Sequence, residues 1–172
     1  MKRLFILLFL FPVFLASLQA GENKGLVCAD LMKVFQSYKG TQAADAYLKA
    51  KAKDLQESID KLKGEISSLD KLLKSGILSR EEKEKKSKEM EAKKKELENR
   101  IKSSNLVMMQ ERRKKVEEVL KEIEQKVAEY ARKKGYRIIL DKKDILFVEE
   151  GLDITDDLIK FINQEYEKKG KS

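Results

Sequence analysis

The side chains most often used for catalysis are scarce in this sequence. It contains no histidine, so it offers no imidazole general base and lacks the commonest metal ligand. Its single cysteine, Cys28, has no internal disulfide partner and lies in an apolar run, where we expect a small buried hydrophobic residue. Glu81 and Glu82 are adjacent carboxylates, but they lie in a Lys-rich helix with no predicted pocket. With no Walker-type glycine loop either, the sequence predicts no catalytic residue, no metal site and no cofactor.

Positive charge is the chemistry that the chain does offer. Lys and Arg number 38 against 30 Asp and Glu, a formal net charge of +8. Between Lys74 and Lys115 there are 15 basic and 8 acidic residues, so this segment holds most of the excess. Two interpretations stay open: a solvated coiled-coil surface, or a binding surface for acidic polypeptides or anionic lipid. The candidate binding residues are two basic clusters and two methionines, which would add soft apolar contacts if they are not core: Lys93, Lys94, Lys95, Met108, Met109, Arg112, Arg113, Lys114 and Lys115.

The first twenty residues determine the compartment. Lys2 and Arg3 precede an apolar run over residues 4–15, and small or polar residues follow as far as Ala20. This pattern predicts a signal peptide over residues 1–20, because the run is shorter than the roughly 20 residues of a membrane-spanning helix. An uncleaved anchor is the alternative. We expect an exported, periplasmic protein, which makes nucleic acid a poor candidate partner.

The elements that carry the basic clusters form a predicted helical hairpin, the arm, over residues 41–129. Its first helix has an uninterrupted heptad pattern: Leu48, Ala52, Leu55, Ile59, Leu62, Ile66, Leu69 and Leu73. Gly76 ends this helix, and the capping-box pair Ser79 and Glu82 begins the second one, so the two fold back antiparallel. The second helix has a four-plus-four spacing from Met108 through Arg112 to Val116, which predicts a stutter.

The remaining segments, residues 21–40 and 130–172, form a predicted β-rich body. We expect strands at residues 26–29, 136–140 and 145–148, then a helix capped by Thr155. The predicted fold is α+β: a small three-stranded β body with a long antiparallel coiled-coil hairpin arm. A body of this size is close to the lower limit of stability and has open strand edges, which favours a homo-oligomer. The predicted oligomerisation residues are the apolar strand residues Leu26, Val27, Cys28, Ile145, Leu146, Phe147 and Val148.

Three motifs in this order resemble the Skp/OmpH family of periplasmic chaperones. Residues 28–37 (CADLMKVFQS) resemble the opening strand and turn of that family. Residues 135–141 (GYRIILD) resemble its second strand, with Arg137 where an acidic residue is usual, and residues 153–155 (DIT) resemble its C-terminal element. The resemblance implies a trimer whose arms enclose a cavity. It also implies an activity that uses no nucleotide: holding unfolded outer-membrane proteins, its clients, until they insert.

Two functions follow as hypotheses. The first is a non-enzymatic holdase that binds unfolded outer-membrane proteins between its arms, with anionic lipid or lipopolysaccharide as a further candidate partner. The alternative is a structural or adaptor coiled-coil protein of the cell envelope that docks a fixed partner. An enzyme is the weakest class, because the sequence has no histidine, no cofactor loop and no enclosed carboxylate pair.

Overall fold

The structure is a computed structural model that describes residues 25–170, so the predicted signal peptide lies outside the described residues. Helices dominate the architecture, and a two-stranded sheet joins the two ends of the described chain. The elements in chain order are β1 (Leu26–Ala29), α1 (Leu31–Ser37), α2 (Lys39–Lys74), α3 (Arg80–Lys134), β2 (Ile138–Asp141), a 3-10 turn (Lys142–Asp144) and α4 (Thr155–Lys169).

The sheet pairs β1 and β2 in parallel, with Leu26 opposite Ile138 and Ala29 opposite Asp141. The other edge of β1 is occupied by the segment before α4. There the Cys28 N–H donates to the Leu152 carbonyl and the Ile154 N–H donates to the Cys28 carbonyl, both at 2.9 Å. The connection between two parallel strands must be long, and here the whole hairpin and the C-terminal part of α3 supply it.

The predicted third strand at residues 145–148 does not form. The 3-10 turn ends with the Ile145 N–H bonded to the Lys142 carbonyl at 3.1 Å, and the following residues pair with no strand of the described chain. Leu146 and Phe147 consequently lie exposed. The apolar run is typical of a strand, but after the 3-10 turn it does not return along the outer edge of β2, and residues 152–154 lie along the free edge of β1. The described chain therefore contains two strands, not three.

The core lies where α1, α4 and the C-terminal part of α3 meet the sheet. Its ten buried members come from distant parts of the chain: Val27, Ala29, Val34, Tyr38, Val119, Ile123, Tyr130, Ile154, Leu158 and Ile162. We use the term body for β1, α1, β2 and α4 together with the α3 residues of this core. Such a core depends on chain segments more than 100 residues apart, so the body forms only when both ends of the chain meet.

Polar side chains hold the segments of the body in register. Thr155 Oγ1 accepts from the Asp30 N–H at 2.9 Å, and Asp153 accepts from the Thr155 N–H at 3.0 Å. Thr155 was predicted as the N-cap of α4, but it is the first helical residue and Ile154 is the cap. Asn163 bridges the break between α1 and α2, accepting from the Lys39 N–H at 2.8 Å and donating to the Ser37 carbonyl at 3.0 Å.

The arm consists of α2 and the adjoining part of α3, which pack antiparallel as predicted. Leu48, Ile59, Leu62 and Leu69 of the heptad pattern are buried, whereas Ala52 is exposed. Gly76 adopts a positive φ of 76° just after α2, as expected for a helix-ending glycine. At 1.5 Å per residue, the 36 residues of α2 extend about 54 Å and the 55 residues of α3 about 82 Å. The additional length of α3 brings its C-terminal end into the body.

Candidate functional site

A capping box at the tip of the arm fixes the start of α3, as the sequence predicts. The Ser79 hydroxyl accepts from the Glu82 N–H at 3.3 Å, and the Glu82 carboxylate accepts from the Ser79 N–H at 2.9 Å. Hydrogen bonds from the Ser79 side chain and backbone lower the pKa of Glu82. Because the box fixes where the helix begins, it also fixes which face each later residue occupies.

The first basic cluster, Lys93 to Lys95, divides into two roles. Lys93 lies at the hairpin interface and donates to Glu65 of α2 at 2.6 Å. That hydrogen bond raises the pKa of Lys93 and lowers the pKa of Glu65. Lys94 pairs with Glu91 at 2.9 Å on the exposed surface, and Lys95 forms no hydrogen bond or ion pair within residues 25–170. Lys93 therefore joins the helices, while Lys94 and Lys95 are exposed to solvent.

The second basic cluster, Arg112 to Lys115, is more accessible. Arg112, Arg113 and Lys114 are exposed and form no hydrogen bond or ion pair with any described residue. Lys115 faces α2, where its ammonium lies 4.9 Å from the centroid of the Tyr47 ring. It also donates to Glu118 at 2.7 Å, which raises the pKa of Lys115. Three of the four cations are thus free to meet a partner.

The two basic clusters do not form one site. Lys94 and Arg112 are 18 positions apart on the same helix, which is about 27 Å along its axis. The two methionines also separate: Met108 is half-buried on the side that faces α2, and Met109 is 65% exposed. Met109 lies on the exposed surface with Arg112 and Arg113. The structure therefore places these three predicted residues together and moves Met108 to the hairpin interface.

Three exposed apolar residues lie near this second cluster and were not among the predicted binding residues. They are Leu106, Val116 and Leu120 of α3. At the stutter the apolar positions move to a different face of α3. The apolar residues as far as Met108 face α2, whereas those from Val116 onward lie along another line on the helix. The members of this line are spaced alternately three and four residues apart without a break, and this spacing is the signal in the sequence that identifies them: Leu106, Met109, Arg113, Val116, Leu120, Ile123, Val127 and Tyr130.

A second apolar surface lies on the body, where Leu26, Ile138, Leu140 and Phe147 are exposed. A cavity of about 300 Å³ adjoins it, and six of the seven residues predicted for oligomerisation line that cavity, all except Leu146. Cys28 is buried beneath it, and this burial raises the pKa of its thiol. The structure brings these residues together, and their part in assembly stays a prediction.

The described residues contain no cluster of three or more potential metal-ligating side chains. None of the helices within residues 25–170 is long and apolar enough to cross a membrane. The Asp153 carboxylate has a strongly lowered pKa. Hydrogen bonds from Lys142 and Thr155 lower that pKa to about 2, and both partners are structural.

A protein-family model and a solved structure both match this chain. A family model described as "Outer membrane protein (OmpH-like)" matches residues 26–162. The fold is similar to the crystal structure of a protein named as an OmpH-like outer membrane chaperone from Caulobacter crescentus CB15. The TM-score is 0.72 and the sequence identity 15%, over 82% of this chain and 85% of that one. A search of curated proteins returned no significant match.

Proposed function

The chain belongs to the OmpH-like family, and we propose that it is an ATP-independent periplasmic holdase that binds unfolded outer-membrane proteins and prevents their aggregation. Membership of the family supports a chaperone role. The observation that carries the proposal is the surface of α3, which exposes unpaired cations beside large apolar side chains on an extended arm. A non-native chain has no fixed shape, and an open surface of mixed chemistry can bind it without a shaped pocket.

Electrostatics support a preference for acidic clients. Arg112, Arg113 and Lys114 are exposed on the arm and form no hydrogen bond or ion pair with a described residue, so they attract carboxylates without first breaking an ion pair. Such attraction raises the rate of encounter more than it fixes one bound geometry. The same cations support binding of anionic lipid or lipopolysaccharide, which would then compete with the client. We propose no catalytic step and no cofactor.

We propose further that the body assembles into a homo-oligomer, which the family resemblance implies to be a trimer. The support is the exposed apolar surface at Leu26, Ile138 and Phe147 together with the outer edge of β2, which pairs with no other strand of the described chain. A strand with unpaired N–H and C=O groups is a ready template for another chain. A stable monomer at micromolar concentration in light scattering would contradict this part of the proposal.

Suppression of aggregation is the direct test of the holdase. The mature chain, without residues 1–20, is mixed with an outer-membrane β-barrel protein diluted from urea, and turbidity is followed. We expect suppression without added nucleotide and weaker suppression at high salt. Unchanged turbidity would reject the proposal. A stoichiometric, salt-insensitive complex with one folded envelope protein would instead support the adaptor alternative.

A further inference from the structure

Four large apolar side chains form a straight line on the solvent-exposed side of α3. Leu106 is 51% exposed, Met109 65%, Val116 40% and Leu120 46%. We call these four residues the α3 stripe. They follow the three-and-four spacing of a coiled-coil seam, with Arg113 as the member between Met109 and Val116. The line extends about 21 Å. Single exposed apolar residues are ordinary on a protein surface, but four on one line of a helix, interrupted only by Arg113, are typical of an interaction surface.

The hairpin does not need the α3 stripe for its own packing. Met108, Lys115 and Val119 lie on the α2 side of α3, where Lys115 and Val119 share a cavity with Tyr47 of α2. Met109, Val116 and Leu120 each come one residue later, which rotates them about 100° around the helix axis. Towards the body the same line continues into buried Ile123 and Tyr130. The α3 stripe is thus the part of a core-forming line that no described residue covers.

Charge indicates what covers the stripe. Arg113 lies within the line and Arg112 beside it, and neither has a partner among the described residues. A parallel, in-register second copy would bring one Arg113 against another, and like charges in contact are unfavourable. A chain with carboxylates next to its apolar side chains would be complementary instead. Met109 adds an unbranched, polarisable side chain that adapts to differently shaped partners.

We propose that the α3 stripe binds non-native polypeptide segments in which apolar residues are flanked by carboxylates. The apolar side chains pack on Leu106, Met109, Val116 and Leu120, and the carboxylates pair with Arg112 and Arg113. This inference rests on the proposed holdase function and assigns its client contact to one face of one helix. It also assigns Met108, Lys93 and Lys115 to the hairpin interface and not to the client.

The test measures binding of unstructured synthetic peptides to the mature chain by fluorescence anisotropy. One peptide alternates Phe and Leu with Glu, a second replaces Glu with Lys, and a third replaces the apolar residues with Ser. The variant Leu106→Gln/Met109→Gln keeps residue types that favour helix and removes the apolar ends of the stripe. We expect about tenfold weaker binding of the acidic apolar peptide. The matched control Ile77→Gln removes an exposed apolar residue at the arm tip and should change binding by less than about twofold.

The charge contribution is tested with Arg112→Gln/Arg113→Gln. We expect about fivefold weaker binding of the acidic apolar peptide and no loss for the Lys peptide. The control Lys94→Gln/Lys95→Gln removes the same charge about 27 Å away and should leave both affinities unchanged. Equal losses in the two double variants would overturn the assignment, because they would indicate attraction to the general charge of the arm.

A second measurement does not depend on comparing affinities. Cys28 is only 1% exposed, so Met109→Cys introduces a thiol that an environment-sensitive fluorophore can label selectively. We expect a blue shift on adding the acidic apolar peptide, and no shift from the same label at Ile77→Cys. An unshifted label at residue 109 while the peptide is bound would overturn the inference.

The remaining outcomes separate this inference from the holdase proposal. Aggregation suppression that is equal in wild type and Leu106→Gln/Met109→Gln overturns the role of the stripe and leaves the holdase standing. Peptide binding at the stripe by a chain that suppresses no aggregation supports the stripe and rejects the holdase. A smaller oligomer of Leu106→Gln/Met109→Gln in sedimentation, with peptide affinity unchanged, would show that a second copy covers the stripe.

Discussion

The two ends of α3 lie in contrasting environments although they belong to one helix. At the C-terminal end Val119, Ile123 and Tyr130 are buried in the core with α1 and α4. Between residues 80 and 118 the buried residue is Ser104, whose hydroxyl has no hydrogen-bond partner among the described residues, and the large apolar side chains are half-buried or exposed. The difference teaches that stability is concentrated in the body. The arm tolerates an unusual density of surface charge because little of the core depends on it.

Truncation of one leucine in each region should give the largest contrast. Leu158 is fully buried in the body, so Leu158→Ala should lower the free energy of unfolding by about 2–5 kcal/mol. Leu97 is half-buried in the arm, and Leu97→Ala should cost about 1 kcal/mol. Urea titrations followed by circular dichroism at one fixed chain concentration measure both. Equal losses would show that the arm and the body share one core.

Two glycines of α2 should respond to alanine with opposite signs. A Cβ on Gly40 would clash with the ring of the buried Tyr38, whereas a Cβ on Gly64 in the arm meets no atom within 4 Å. Gly40→Ala should therefore destabilise the chain by about 1–3 kcal/mol through overpacking. Gly64→Ala should stabilise it by up to about 1 kcal/mol through helix propensity. Thermal unfolding of the two variants gives the signs, and stabilisation by Gly40→Ala would contradict the close contact.

Acid should destabilise the body through Asp153. Hydrogen bonds from Lys142 and Thr155 lower its pKa to about 2, below the ordinary value of 3.8. A depressed pKa stabilises the fold above the ordinary pKa, and this stabilisation is lost as the pH falls from about 4 to about 2. Because Asp153 and its partner Lys142 are partly exposed, solvent screening limits this contribution to about 1 kcal/mol, and Asp153→Asn should remove it and flatten stability over that range. The arm variant Glu65→Gln should change the slope less, since Glu65 is partly exposed and solvent screens its ion pair with Lys93. A slope that survives Asp153→Asn would assign acid sensitivity elsewhere.

Charge reversal on the arm should have the smallest effect on stability. Replacing Lys94, Lys95, Arg112, Arg113 and Lys114 with Glu alters exposed residues, so the urea midpoint of the body should not move. Client capture by the same variant should weaken and lose its salt dependence, because exposed charges are screened beyond about 8 Å at physiological ionic strength. Unchanged capture would show that these clusters only keep the arm soluble.

The elements with local determinants were predictable from the sequence. The Ser79 and Glu82 capping box, the helix end at Gly76 and the left-handed Gly135 at the end of α3 depend on residues within a few positions of one another. The body elements with distant partners were less predictable. The run at residues 145–148 is apolar throughout, which is typical of a buried strand, yet it pairs with neither β1 nor β2, and residues 152–154 lie along the free edge of β1.

The faces of α3 likewise depend on residues that are distant in sequence. The spacing of apolar residues indicates a helix through Val116 and Leu120, but it does not reveal which neighbouring element each face of that helix contacts. Met108 and Met109 are adjacent and chemically identical, and only the position of α2 distinguishes the half-buried one from the exposed one. Likewise Lys93 reads as one of three equal cations until Glu65 of the other helix is placed beside it.

The continuity of α3 also has a mechanical consequence. The helix contains neither proline nor glycine from Arg80 to Lys134, so a single rigid rod joins the arm tip to the core. From Val119, where the rod enters the core, to Arg80 the distance is about 58 Å. A tilt of about 10° at that fulcrum displaces the tip by about 10 Å over this length. A small change of angle at the base of the arm would therefore move its tip by a large distance, with no helix unwinding.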